Sequence, residues 1–286
     1  MDMTGKTALI TGANTGLGFE MARALAARGA HVIVAGRSAA KLDAAIARIR
    51  AETPEASLAP GVVDLNSLAS VRDFAQAVAA MQPSLDVLIN NAGVMVPPEG
   101  TTQDGFETQF GVNFVAHFAL TGGLFKTLTA APAARVVTMS SIGHRGAVLD
   151  FGNFRLEKPY DPWREYGQSK LADLIFALEF DRRLRRAGSP VTSVAAHPGV
   201  SQTDLTRNLG PVPAGIEMMS AADGAAPALV AATAPGIAGG QFWGPDGAEE
   251  RTGKPGLALV DDAALDDAKA ERLWHWAEET TGLRYP

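Results

Sequence analysis

Thr11–Gly18 reads TGANTGLG. It follows the apolar run KTALIT (Lys6–Thr11), which reads as a strand, and opens a helical pattern from about Gly16 to Arg28. Gly29 stands where a helix C-terminal cap belongs. Gly12, Gly16 and Gly18 keep side chains out of the strand–helix turn. A diphosphate can then approach backbone N–H groups at the helix N-terminus. Three glycines alone also suit a plain tight turn, but their place after the first strand points to a nucleotide. Asn14, Thr15 and Leu17 fall in the same cradle.

Outward from this turn, short apolar runs alternate with longer helical patterns. HVIVAG (His31–Gly36), GVVDL (Gly61–Leu65), LDVLIN (Leu85–Asn90), RVVTMS (Arg135–Ser140) and VTSVAAH (Val191–His197) read as further strands. They are continuously apolar rather than alternating, as expected when helices cover both sheet faces. The expected fold is α/β, a doubly wound, Rossmann-like parallel sheet in a single domain. Ligands bind such sheets beyond the carboxyl ends of the strands. The Ala-, Gly- and Pro-rich stretch at about 204–238 reads as a small substrate lid on that domain.

The chain has 286 residues and a net charge of −6, which disfavours a nucleic-acid surface. The one basic cluster, DRRLRR (Asp181–Arg186), lies late in a helical pattern, where cations suit the negative dipole end. Absence of cysteine excludes disulfides and thiol chemistry, and the five histidines form no metal-ligand pair. The N-terminus lacks signal-peptide character. No stretch reaches the roughly 18 apolar residues of a membrane span. The expected compartment is the cytoplasm.

The end of the second strand bears on which dinucleotide is bound. A carboxylate there would hold a ribose 2′-hydroxyl and repel a 2′-phosphate. This chain reads VIVAGRS, with Gly36 in the acid's place, then Arg37 and Ser38. A guanidinium pairs with phosphate through two parallel hydrogen bonds. NADP(H) is therefore expected over NAD(H). The glycine spacing G-xxx-G-x-G, with NNAG (Asn90–Gly93), resembles the short-chain dehydrogenase/reductase family. The resemblance assigns Gly12, Gly16 and Gly18 to the dinucleotide, Asp64 and Leu65 to its adenine end, and Asn91, Ala92 and Gly93 to the cofactor site, where Gly93 lets the chain pass close while Asn90 and Asn91 can tie neighbouring strand ends together.

Tyr166 and Lys170, in EYGQSK (Glu165–Lys170), lie one turn apart on the same helix face. Asp161 and Pro162 mark that helix's start, and Leu171, Leu174, Ile175 and Leu178 its apolar face. A free phenol titrates near pH about 10, so a proton-transferring Tyr near neutrality needs an adjacent cation. The family resemblance implies hydride transfer between nicotinamide and a carbonyl carbon, with Tyr166 as general acid–base. Lys170 then supports the phenolate and binds the nicotinamide ribose, and Asn113 anchors a relay water. Ser141, rather than Ser140, polarises the substrate oxygen. Pro198, Gly199 and Thr203, in HPGVSQT, lie near the nicotinamide in this resemblance.

The resemblance covers nearly the whole chain and is strongest to the retinol-dehydrogenase-like branch. DGFETQFGVNFVAHFALT (Asp104–Thr121), YDPWREYGQSKLA (Tyr160–Ala172) and LWHWAEETTG (Leu273–Gly282) carry it. Val94, Met95, Phe151, Leu205, Leu209 and Met218, with Ser141, are the expected pocket residues for a medium-sized apolar ketone, aldehyde or alcohol. Many relatives dimerise through the helices bearing Asn113 and Tyr166, so a homo-oligomer stays open, although the C-terminal tail can block that face. The competing reading is a non-catalytic NADPH sensor, which would need the glycine loop and Arg37 but not the Asn113, Ser141, Tyr166 and Lys170 set.

Overall fold

The computed structural model describes residues 1–203, 205 and 217–286. In chain order the main elements are β1 (Thr7–Thr11), α1 (Gly16–Ala26), β2 (His31–Gly36), α2 (Ala39–Glu52), β3 (Leu58–Val62), α3 (Leu68–Met81) and β4 (Val87–Asn90). A short α4 (Thr108–Phe110) runs through a π-helical turn (Gly111–Val115) into α5 (Ala116–Gly123), then α6 (Phe125–Thr129) and β5 (Arg135–Met139). The long α7 (Pro162–Arg186), β6 (Thr192–Ala196), α8 (Ala221–Thr233), β7 (Phe242–Pro245), β8 (Pro255–Leu257) and α9 (Asp267–Thr281) complete it.

Among the described residues, eight strands form one sheet in the order β3-β2-β1-β4-β5-β6-β7-β8. All pairings are parallel except β7 with β8. The order reverses between β1 and β4, so loops diverge there and a crevice opens at the strand ends. Strands β1, β2, β4, β5 and β6 are buried at nearly every position, because each sheet face meets a helical layer. One face packs on α1, α2 and α8, and the other on α3, α5, α7 and α9.

Three departures from the sequence reading have simple causes. The third strand is Leu58–Val62 rather than Gly61–Leu65, so Asp64 lies in the loop beyond it. Pro60 sits inside β3, which is an edge strand, where Pro's missing donor is tolerated. Strands β7 and β8 are short, rich in Gly and Pro, and carry no periodic signal. Within the stretch expected to be a lid, residues 221–233 instead form α8, packed on α1 and the sheet. Ser220 caps α8 by accepting from Asp223 N–H, and its alanines favour helix despite Pro227. Residues 204 and 206–216, including the expected pocket residue Leu209, lie outside the described residues.

The C-terminal segment covers α5 and α7. Trp274 of α9 packs edge-on to Phe118 (ring centroids 5.1 Å apart) and stacks on Phe176 and Phe180. Tyr285 donates its hydroxyl to the Phe118 carbonyl at 3.0 Å. Self-association through these faces would have to displace α9.

Candidate active site

The crevice beyond β1 and β4 is a cleft of ≈ 490 Å³. Gly12, Asn14, Thr15, Gly16, Leu17 and Gly18 line one wall, and Asn91, Ala92, Gly93, Val94 and Met95 another. Gly12 and Gly16 adopt left-handed φ values of 66° and 53°. Gly18 is required for a different reason. A Cβ there would stand 2.3 Å from the Gly12 carbonyl oxygen and 2.6 Å from Asn91 Nδ2. The first helix begins at Gly16 with no acidic residue in its first turn, so its N-terminal dipole faces the cleft uncompensated.

Thr11 ties the two central strands together. Its hydroxyl accepts from the N–H groups of Asn91 and Ala92, each at 2.9 Å, and Asn91 Nδ2 donates to the Thr11 carbonyl at 2.7 Å. Asn90 instead donates to Thr121, at 3.0 Å. At the far end Asp64, Leu65, Gly36, Arg37 and Ser38 complete the cleft. A Cβ at Gly36 would lie 3.0 Å from Asn14 Oδ1, so a longer side chain there would crowd Asn14. Arg37 is exposed and makes no hydrogen bond or ion pair with the described residues. Ser38 begins α2 without a side-chain cap bond. Lys41, one turn on, lines the cleft too and was not anticipated from sequence.

Asp161 accepts from the N–H groups of Trp163 and Arg164, and Pro162 opens α7, as its sequence signals predict. The Tyr166 ring is 6% exposed and packs with Met95 and Val96, with Leu205 against them. The two serines after β5 have separate fates. Ser140 is buried and donates to the Lys170 carbonyl at 2.7 Å. Ser141 is only partly buried, and its Oγ accepts from Gly143 N–H at 3.1 Å. A Cβ at Gly143 would lie 3.2 Å from the Tyr166 ring and 3.4 Å from Ser141 Oγ, so this glycine lets the two approach. Lys170 Nζ donates to the Met139 carbonyl (3.0 Å) and to Asp173 Oδ2 (2.8 Å).

Asn113 sits in the π turn, a feature common at functional sites. Its amide is fully engaged. Oδ1 accepts from Val94 N–H at 2.8 Å, and Nδ2 donates to the Val94 carbonyl (3.0 Å) and to Ser169 Oγ (2.9 Å). Ser169 in turn donates to the Tyr166 carbonyl at 2.8 Å. The Asn113 carbonyl accepts from His117 Nδ1 at 2.7 Å, which leaves His117 Nε2 to accept from Thr11, 2.9 Å away. Sequence reading missed His117, Ser169 and Asp173. The available signal was helical spacing from residues already chosen: i+4 from Asn113, and i+3 from Tyr166 and Lys170.

Burial pushes the His117 imidazole down to about 4, with the Lys170 charge acting the same way. Its unfolded-state value lies near 6.5, so between these values the unfolded chain binds the proton. Stability from neutral His117 is therefore present above about pH 6.5 and lost as pH falls through about 4, a span of about 3 kcal/mol. Denaturant titrations from neutral pH to about pH 4 should show a loss in the wild type that His117→Gln largely escapes. Parallel curves would exclude this source of acid sensitivity.

The remaining expected residues divide. Thr203 lies beside Gly16 and lines the cleft, as does Leu205. Gly199 is left-handed (φ 60°), and a Cβ there would meet the Arg251 carbonyl at 2.3 Å. Pro198 accepts from Ser201 Oγ at 2.7 Å. Met218 is half-buried and does not line the cleft. Phe151 lies away from the cleft: its ring packs on Phe154 and under the Arg272 guanidinium of α9. Trp163, more than half exposed, stands edge-on to Tyr166 with ring centroids 6.4 Å apart.

This geometry agrees with the relationships of the chain. The profile of the short chain dehydrogenases matches residues 6–213. Mouse (Mus musculus) retinol dehydrogenase 12 is 45% identical over 73% of this chain, an alignment that spans 65% of that relative. Human (Homo sapiens) retinol dehydrogenase 13 is 38% identical over 99% of this chain and 86% of its own. A crystal structure of an uncharacterised protein from Mycobacterium paratuberculosis superposes with a TM-score of 0.84 at 39% identity, covering 100% of this chain and 96% of that one. The chain belongs to the short-chain dehydrogenase/reductase family, whose members are oxidoreductases built around a nicotinamide cofactor. Within that family it falls in the retinol-dehydrogenase-like branch. No helix among the described residues is long and apolar enough to cross a membrane.

Proposed function

We propose that the protein is an NADP(H)-dependent oxidoreductase of an apolar carbonyl or alcohol, with Tyr166 as general acid–base. The observation that carries this reading is one continuous cleft. It offers cations that have no partner among the described residues at one end and, at the other, an apolar wall whose Met95 and Leu205 pack with the Tyr166 ring. The glycine cradle fits a dinucleotide, since a side chain at Gly12 would press on Ala92 and one at Gly18 on the Gly12 carbonyl, forcing the turn out of its tight shape. Arg37, Lys41 and the uncommitted Ser38 hydroxyl, with no carboxylate at Gly36, suit a 2′-phosphate.

When bound, NADPH supplies the hydride that the carbonyl carbon takes up. Tyr166 gives its phenolic proton to the carbonyl oxygen, or takes one from an alcohol as phenolate in the reverse direction. Ser141 donates a hydrogen bond to the same oxygen and orients it. Lys170, a cation one turn away, favours the phenolate form. Asn113 fastens the Val94 loop to α7 through Ser169, and so fixes Tyr166 against the cleft wall.

A non-catalytic NADPH sensor is the second reading. It accounts for the cradle and Arg37 but has no need of Asn113, Ser141, Tyr166 and Lys170 together. Titration with both reduced cofactors, followed by turnover of decanal, benzaldehyde and glucose, separates the two. NADPH should bind at least about 10-fold more tightly than NADH, and the apolar aldehydes should turn over. Equal NADH binding would remove the cofactor preference. Glucose outcompeting decanal would remove the apolar substrate, and NADPH binding without any turnover would favour the sensor.

A further inference from the structure

The catalytic candidate Lys170 is held by a carboxylate that lies outside the family's four-residue set. Asp173, one turn further along α7, is 1% exposed and places Oδ2 2.8 Å from Lys170 Nζ. Its second oxygen, Oδ1, is buried and has no hydrogen-bond partner among the described residues. A buried ion pair is costly unless its polar atoms are fully satisfied, so this carboxylate is a poor device for stability alone. Lys170 Nζ also approaches Gly93, since a Cβ there would lie 3.8 Å from it. Lys170 therefore borders the cleft wall, with Asp173 behind it.

We propose that Asp173 is a positioning residue that holds the Lys170 ammonium and, by its negative charge, sets the pH at which the Tyr166–Lys170 pair exchanges a proton. This rests on the assignment of Tyr166 and Lys170 made above. Burial raises the Asp173 carboxyl to about 7, opposed by the Lys170 charge, so above neutral pH it is an anion. An anion beside Lys170 offsets the cation that favours the phenolate. The other titratable neighbour is His117, on the packed helix α5, which is neutral at these pH values. From β5 only the Met139 carbonyl reaches Lys170.

The phenolate absorbance of the cofactor-free protein reads this directly. Burial pushes Tyr160 up to about 12 and raises Tyr285 well above the usual phenol range, and subtracting a Tyr166→Phe titration isolates Tyr166. Seven residues of helix separate Tyr166 from Asp173 by roughly 10 Å. Removing one charge at that distance should bring the phenolate in about one pH unit earlier. Asp173→Asn is therefore expected to lower the Tyr166 midpoint by about one unit, and an unchanged midpoint overturns the proposal. A second arm covers poor folding of that variant. Lys170→Met should melt well below wild type, and Lys170→Met/Asp173→Asn should regain most of the loss. Equal melting of the two also overturns it. Turnover surviving in Tyr166→Phe would instead strike the parent assignment.

Discussion

Tyr166→Phe is expected to lower carbonyl reduction on the order of 10³-fold or more while NADPH affinity stays within a few-fold. The substitution removes one hydroxyl and keeps the ring. The ring does the packing, against Met95 and Val96 and edge-on to Trp163, and Phe fills the same space. The helix around it is fixed independently, by the Asp161 cap and by the Asn113–Ser169 bonds. Loss of activity would thus report the proton and not the fold. Stopped-flow turnover with decanal, beside fluorescence titration of NADPH, reads both quantities. Wild-type-like turnover would remove Tyr166 from the chemistry.

The second large effect is expected at Gly18. Alanine there would drive a Cβ into the Gly12 carbonyl, which belongs to the backbone and cannot rotate away. Overpacking of this kind costs about 1–3 kcal/mol, and here it falls on the turn that receives the diphosphate. Gly18→Ala should weaken NADPH binding by about 100-fold with near-native circular dichroism. Affinity within a few-fold of wild type would show that the cradle tolerates the shift.

Much of this site was legible because its parts are local. The turn at Gly12–Gly18, the cap at Asp161–Pro162 and the Tyr166–Lys170 spacing each depend on residues within a few positions of one another. Sequence reading failed where the decisive partner was distant. The third strand was placed three residues late because its bounds are set by pairing with β2 at the sheet edge. Residues 221–233 were read as lid because an Ala-rich stretch with Pro227 has no periodic face, yet α8 packs on α1 some two hundred positions earlier. Phe151 was assigned to the pocket by apolarity alone, but it packs, partly buried, against Phe154 and under Arg272 of α9.

Hydrophobic runs and backbone propensities act over short range, so the sequence by itself determined the α/β alternation, the phosphate-type turn and the Tyr–Lys helix. The tertiary structure alone decided which polar groups were already spent. It committed Ser140 to the Lys170 carbonyl and left Ser141 partly exposed, accepting from Gly143, and it left Arg37 without a partner among the described residues. It also set His117 under Asn113 and Asp173 on Lys170. The physical reason is that a buried polar atom must find its partner in the folded chain, and that partner's identity depends on packing rather than on spacing.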